Sequence, residues 1–391
     1  MMRNSSLLKL TILIANFACM ADMVIIPAAG GIFAAFPDAD PKLLDLILTG
    51  PMLASIAGSL LCGFLARYFS KKYILIGAYV LFIIGSCGGA WFANIYYVLV
   101  MRMIVGFAYG FVPTGIFALV SELYEEEEER SVMVGLVTAS VAIWGIILAC
   151  ISGFLAVDDW RYSYYVYYAA IPILLMLVVF LPKTPPEGCN KEVVEERMPI
   201  FKVGGVALAC FGFNTLYNIV VYYIAIYLQE AQIGDASTAG VITSMGTLGC
   251  MVSSLFFGKI YSGLKGVTAA VAYIAMAVAF IILSHPADIW TIGAMCLLTG
   301  AAFGIGINYY YMHSSMIVPP SIISLVMAII AIAMNLGTFA SSYALTLFQT
   351  IMHVRTIAPT FLYVGVIFGI WGVLSITSTK FFAKKSDGIE V

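Results

Sequence analysis

Residues Val132–Val157 read VMVGLVTASVAIWGIILACISGFLAV, an unbroken stretch without a charged side chain. A helix rises about 1.5 Å per residue and the hydrocarbon core of a bilayer is about 30 Å thick, so about 20 apolar residues are enough to cross it. The stretch has none of the period-two alternation of a membrane β-strand. Lipid offers no partner to backbone N–H and C=O groups, and a helix satisfies them within the segment. This stretch is therefore predicted to be a membrane-spanning helix. The pattern recurs on both sides of it and gives twelve spans. Helices 1 to 6 are predicted over Leu7–Phe36, Leu43–Leu65, Tyr73–Phe92, Ile95–Val120, Val132–Val157 and Tyr162–Leu181. Helices 7 to 12 are predicted over Val203–Leu228, Ser237–Phe257, Gly266–Leu283, Ile289–Met312, Ile322–Phe348 and Ile357–Phe382.

Composition agrees with this reading. Of 391 residues 62% are hydrophobic and 10% charged, against about 25% charged in soluble domains, so lipid is the expected solvent and the bilayer a partner. A formal net charge of -2 without a basic tract argues against nucleic acid. The eight cysteines are scattered with no CxxC pair and read as small core residues. His285, His313 and His353 fall at span ends or in loops, so no metal site and no cofactor is expected. Neither HExxH, GxSxG nor a Walker phosphate loop is present, and catalysis is not expected.

Of the 19 basic residues, only Lys42, Arg161 and Arg355 fall on one side of the twelve-span bundle and only Arg102 lies deep within a span; the remaining 15, in loops or at span ends, collect on the other side. The positive-inside rule then puts both termini in the cytoplasm, in a multi-pass protein of the cytoplasmic (inner) membrane. The halves also resemble each other. At an offset of 195, Gly63 in GFLARYFSKKY falls on Gly258 in GKIYSGLKG; at 194, RMIVGFAYG (Arg102–Gly110) falls on CLLTGAAFG (Cys296–Gly304). Internal repeats of this kind build many transporters. The domain reading is a six-helix bundle over residues 1–182, a cytoplasmic linker over 183–202 and a second, parallel six-helix bundle over 203–391.

These residues resemble the major facilitator superfamily over nearly the whole chain. Its loop between helices 2 and 3 has the form GxLADRxGRKxxL, matched here by Gly63, Leu65, Ala66, Lys71, Lys72 and Leu75. Arg67 stands where the Asp belongs, Tyr68 where the Arg belongs and Ser70 where the second Gly belongs, so a gating contact through that Asp does not carry over. Arg102, Gly106 and Gly110 resemble the RxxxGxxxG element of helix 4. Glu122 and Arg130 resemble the acidic end of helix 4 and the Arg before helix 5. The phrase ADMVIIPAAGGIFAAF in helix 1 resembles the drug:proton antiporter branch, although helix 5 lacks that branch's Gly-Pro pair. The resemblance implies an all-α, twelve-helix secondary transporter, expected as a monomer, working by alternating access.

Among the 21 acidic residues only Asp22 is read as lying deep within a span, where a charge costs about 2.5 kcal/mol or more and so marks either function or a buried ion pair. Counting rises along helices 1 and 4 puts Asp22 and Arg102 at nearly the same depth, and the resemblance implies proton coupling through them. Tyr217 is the repeat position of Asp22. With Asn16, Asn214, Asn218, Asn308, Tyr309 and Asn335 it supplies aromatic faces and hydrogen-bonding groups, either to a solute or between helices. Arg67, Lys71, Lys72, Glu122 and Arg130 are the gating candidates, and the acidic run in YEEEEERS is either a solvated loop or a latch on those bases. Gly106, Gly110 and Gly115, with Gly300, Gly304 and Gly306, are predicted to let helices approach closely. Because Arg102 is the sole base at depth, a neutral or cationic amphiphile is the expected solute, and the resemblance to the antiporter branch implies its proton-coupled export. The alternative is a proton-coupled uptake symporter or a uniporter for a small metabolite.

Overall fold

The computed structural model describes residues 6–26, 28, 32, 35–37, 39, 41–156, 159–187, 199–233, 236–285, 288–351, 353–354 and 356–386. Most of the predicted linker, Pro27 of helix 1, and Arg3, Lys191, Arg197 and Arg355 from the charge sorting lie outside the described residues. Within them, nine helices are long and apolar enough to cross a membrane, and three shorter apolar helical stretches, Ser6–Met20, Gly50–Leu65 and Val241–Leu255, accompany them. Together these twelve coincide in order with the predicted spans.

Side-chain caps fix several span starts. Asn94 accepts hydrogen bonds from the backbone N–H groups of Tyr96 and Tyr97 at the start of helix 4 (Ile95–Leu123), and Asp159 accepts from that of Arg161 at helix 6. Such bonds satisfy donors that the first helical turn leaves unpaired.

Contacts group the chain into two compact units. The first comprises Met1–Glu125, Ser140–Gly205 and Ser314–Asn335. In it helix 2 (Pro41–Leu65) lies against helix 4 at backbone distance. A Cβ built on Gly106 would fall 2.2 Å from the Pro51 carbonyl oxygen, and one on Gly110 2.1 Å from that of Ser55. Only glycine permits this approach. Phe17, Phe82, Tyr79 and Tyr167 fill the space beside helix 1.

The second unit comprises Glu126–Ala139, Val206–His313 and Leu336–Val391. Here helix 8 (Ala236–Leu255) meets helix 10 (Ile289–Met316) in the same way, and a Cβ on Gly300 would fall 1.8 Å from the Gly246 carbonyl oxygen. Positions related by the internal repeat thus make equivalent close helix contacts, one in each unit, as the glycine pattern predicts. Phe213 is the hub of the second core, with Phe303, Tyr273, Tyr310 and Phe368 around it.

Three spans depart from the sequence expectation. Helix 1 is interrupted: an α-helical piece, Ser6–Ile14, passes into a 3₁₀ stretch, Ala15–Met20, before a short α-helical turn, Asp22–Ile25. Helix 6 begins as a 3₁₀ helix, Trp160–Ala169, and becomes α-helical only over Ala170–Phe180. A 3₁₀ helix eclipses residues three apart, which aligns its tyrosines in rows, Tyr162 with Tyr165 and Tyr164 with Tyr167. Helix 8 does not stop at Phe257. A further helix, Phe257–Leu264, follows because Phe257, Gly258 and Tyr261 are buried, and the chain turns at Lys265, whose φ is 42°.

Candidate functional site

The break in helix 1 is held open by its neighbours. Hydroxyl groups of Tyr79, Tyr167 and Ser152 donate to the carbonyl oxygens of Ala15, Ala21 and Val24, and the Asn16 amide donates to the Ile12 carbonyl and to Ser140 Oγ (2.9 Å). Irregular backbone at membrane depth requires such replacement partners. Interrupted helices mark solute and ion sites in transporters, and Asp22 begins the turn just beyond this interruption.

Arg102, projecting from helix 4, meets it there. Its Nη2 donates to Asp22 Oδ1 at 2.5 Å and its Nε to the Ile47 carbonyl at 3.1 Å. The Arg102 side chain is 2% exposed and that of Asp22 30%, so the pair joins a fully desolvated cation to a carboxylate that still reaches open space. Among the described residues Arg102 Nη1 and the Tyr164 hydroxyl are buried without a hydrogen-bond partner. Asp22 and Arg102, which the helical rise puts at nearly the same depth, are thus in contact.

The other solute candidates divide between the units. In the first, Asn16 is buried in the bonds just described, and half-buried Asn335 donates to Ser55 Oγ at 3.1 Å. In the second, the amides of Asn214 and Asn218 share Thr338 Oγ1 at 2.8 and 3.4 Å, and Asn218 also donates to the Asn214 carbonyl. Tyr217 is half-buried one helical turn from Asn214 and stacks on Phe303 with centroids 4.0 Å apart. Asn308 is fully buried, accepting from Thr138 Oγ1 at 2.5 Å and donating to Ser254 Oγ at 3.1 Å; Tyr309 stacks on His313. Asn16, Asn308, Asn214 and Asn218 thus all bond between helices, and the buried amides of Asn214 and Asn218 share a group with half-buried Tyr217 and Thr338. Thr338 escaped the sequence reading, since a lone Thr in an apolar span carries no signal.

Of the gating candidates, Lys71 is buried and pairs with Glu122 at 2.8 Å and with Glu187 at 2.9 Å. Arg67 is exposed, Lys72 and Arg130 are half-buried, and among the described residues neither Arg67 nor Lys72 shares this cluster. The acids on Lys71 do not come from the Glu125–Glu129 run, most of which is exposed where helix 5 begins. That run complements the positive end of the helix dipole instead. Glu187 was missed because an acid in a polar linker looks solvated until the fold buries it.

Apolar helices in repeat-related packing, with an ion pair at depth beside an interrupted helix, define the class of polytopic secondary transporters. The sequence model of the Major Facilitator Superfamily matches residues 11–342, and the chain belongs to that family; its fold is the family's twelve-helix, all-α fold. The "Arabinose-proton symporter" of Escherichia coli (strain K12) is 30% identical over 146 residues, which span 37% of this chain and 30% of the symporter's length. The "3-(3-hydroxy-phenyl)propionate transporter" of the same strain is 26% identical over 250 residues, 62% of this chain and 61% of that one. Among solved structures, the proton:xylose symporter XylE bound to 6-bromo-6-deoxy-D-glucose matches with a TM-score of 0.74 at 17% identity, over 95% of both chains.

Proposed function

We propose that this transporter takes up a small hydroxylated organic metabolite together with protons, and that Asp22 and Arg102 form its proton-coupling pair. The observation that carries the reading is the 2.5 Å contact between Arg102 Nη2 and Asp22 Oδ1 at the break in helix 1. The carboxylate of helix 1 and the guanidinium of helix 4 are each other's charge partners, so a transport step that parts and rejoins them would tie helix movement to the state of the pair. Export of an amphiphile has less support than uptake, because relatives of this chain are named as proton symporters of sugars. Hydroxyl-rich solutes also suit the group at Asn214, Asn218 and Thr338, which offers both donors and acceptors, with the Tyr217 ring beside it.

In this proposal two six-helix repeats joined by the 183–202 linker act as a monomer in the inner membrane, with both termini in the cytoplasm. The chain is reconstituted in liposomes, and uptake of arabinose, xylose, myo-inositol and 3-(3-hydroxyphenyl)propionate is followed with and without an inward proton gradient. Gradient-driven accumulation of a sugar or polyol, lost in Asp22→Asn, is expected. Accumulation of the aromatic acid alone would move the substrate class to carboxylates. Accumulation unaffected by Asp22→Asn would remove the proton role. For orientation, an impermeant thiol reagent applied to intact cells is expected to label Trp91→Cys and to spare Tyr68→Cys, both sites being exposed.

A further inference from the structure

We propose that the exposed face shared by the start of helix 3 and the end of helix 6 is a binding site for one anionic phospholipid, with its phosphate held by Lys183, Lys72 and Arg67 and an acyl chain lying along Gly77. Helix 3 (Lys71–Gly88) runs beside the α-helical part of helix 6 (Ala170–Phe180), and both belong to the first compact unit. Lys183 lies just beyond the end of helix 6. Its Nζ stands 5.7 Å from the ring centroid of Tyr73, in the first turn of helix 3. An aromatic face attracts an ammonium without using up its N–H groups, so the contact holds Lys183 in place with donors to spare. Tyr68, Phe69 and Tyr73 are all exposed here. Aromatic side chains of this kind settle at the headgroup boundary of a bilayer, which puts the neighbouring cations at phosphate depth.

These cations are unopposed. Arg67 and Lys183 are exposed and Lys72 is half-buried, and among the described residues none of the three has a carboxylate partner. Glu122 and Glu187 are taken by buried Lys71 instead, and Glu127, Glu128 and Glu129 belong to the first turn of helix 5. A phosphodiester offers one negative charge and several acceptor oxygens to such a group. A zwitterionic headgroup brings an ammonium of its own and is attracted less. Each Lys or Arg beside an anionic headgroup contributes about fivefold in affinity.

The apolar half of the ligand has a place as well. Tyr73, Gly77, Val80 and Ile84 fall on one exposed face of helix 3, each about one helical turn from the next. A Cβ built on Gly77 would meet nothing within 4 Å, so this face is notched one turn inward from Tyr73. Val178 and Val179 are exposed on the adjoining end of helix 6. A notch beneath a fixed cation suits a molecule that joins a phosphate to an apolar chain.

The test is lipid binding to the full chain and uses no transported solute, so its outcome is independent of the sugar–proton reading. The protein, freed of lipid in detergent, is titrated with phosphatidylglycerol or with phosphatidylethanolamine of the same acyl chains, and bound lipid is counted by native mass spectrometry. One phosphatidylglycerol is expected to bind about fivefold or more tightly than phosphatidylethanolamine, and Lys183→Gln to weaken it about fivefold. Gly77→Leu, which fills the notch from a position where nothing lies within 4 Å, should weaken it too. Lys265→Gln, which removes an exposed cation from the second unit, should leave it unchanged. Equal binding of the two lipids overturns the site, and so does equal weakening in Lys265→Gln. Displacement of the lipid by inorganic phosphate, with no effect of Gly77→Leu, overturns it in favour of a free-anion site.

Discussion

Replacing Asp22 by Asn leaves the Arg102 guanidinium charged and 2% exposed with no carboxylate beside it. Removing one partner of a buried ion pair costs about 3–5 kcal/mol when both members are desolvated. Two features lower the figure here. The Asp22 side chain is 30% exposed, so the pair is only partly desolvated, and the Asn oxygen can still accept from Nη2. A loss of about 1–3 kcal/mol is expected, the range for a hydrogen bond to a charged group. Adding Arg102→Gln removes the stranded cation, so the double variant should regain much of that stability. Unfolding can be followed by the exposure of buried thiols, because Cys62, Cys87, Cys210 and Cys296 are free and buried. Transport separates the two roles of the pair: the double variant is expected to be stable, to equilibrate solute downhill and to be unable to accumulate it under a proton gradient. Accumulation at wild-type levels in the double variant would refute the coupling assignment. Stability as low in the double variant as in Asp22→Asn would refute the account of a stranded charge.

Three further outcomes follow from the geometry. Gly300→Val puts atoms where the Gly246 carbonyl stands 1.8 Å from the built Cβ; overpacking of this kind costs about 1–3 kcal/mol or more, and a lowered midpoint of thermal thiol exposure checks it, with Gly263→Val, where nothing lies within 4 Å, as the tolerant control. Tyr217→Ala should raise the half-saturating solute concentration of uptake about tenfold by removing a ring face, whereas Tyr217→Phe, which keeps the stack on Phe303, should change it little. The Asp288 carboxyl is held below the usual carboxylate range, first by the Thr291 hydroxyl and then by backbone N–H groups at the start of helix 10. Its stabilisation is therefore present above the ordinary carboxylate pKa and is lost as pH falls through the lowered one. Amide exchange at Trp290 and Thr291 should rise in Asp288→Ala at neutral pH and converge with the wild type in acid.

Span count, order and helical class were legible in the sequence, because in lipid the length and apolarity of a segment are themselves the structural constraint. Repeat-related glycines were legible for a similar reason: only a residue without a Cβ allows Gly106 to meet Pro51 and Gly300 to meet Gly246. The pairing of Asp22 with Arg102 could be anticipated from helical rise, since lone opposite charges at one depth have few other partners. The break in helix 1 was hidden, because it depends on hydroxyls from Tyr79, Tyr167 and Ser152 reaching carbonyls that a regular helix would have used itself. Which amides end up buried, as Asn308 is with Thr138 and Ser254, and which stay half-buried, as Asn335 does, depends on helix rotation, and apolar patterning fixes that poorly when both lipid and core are apolar. Glu187 is the furthest from the sequence's reach: its charge is tolerable in burial only because folding brings Lys71 and the open end of helix 11 to the same point.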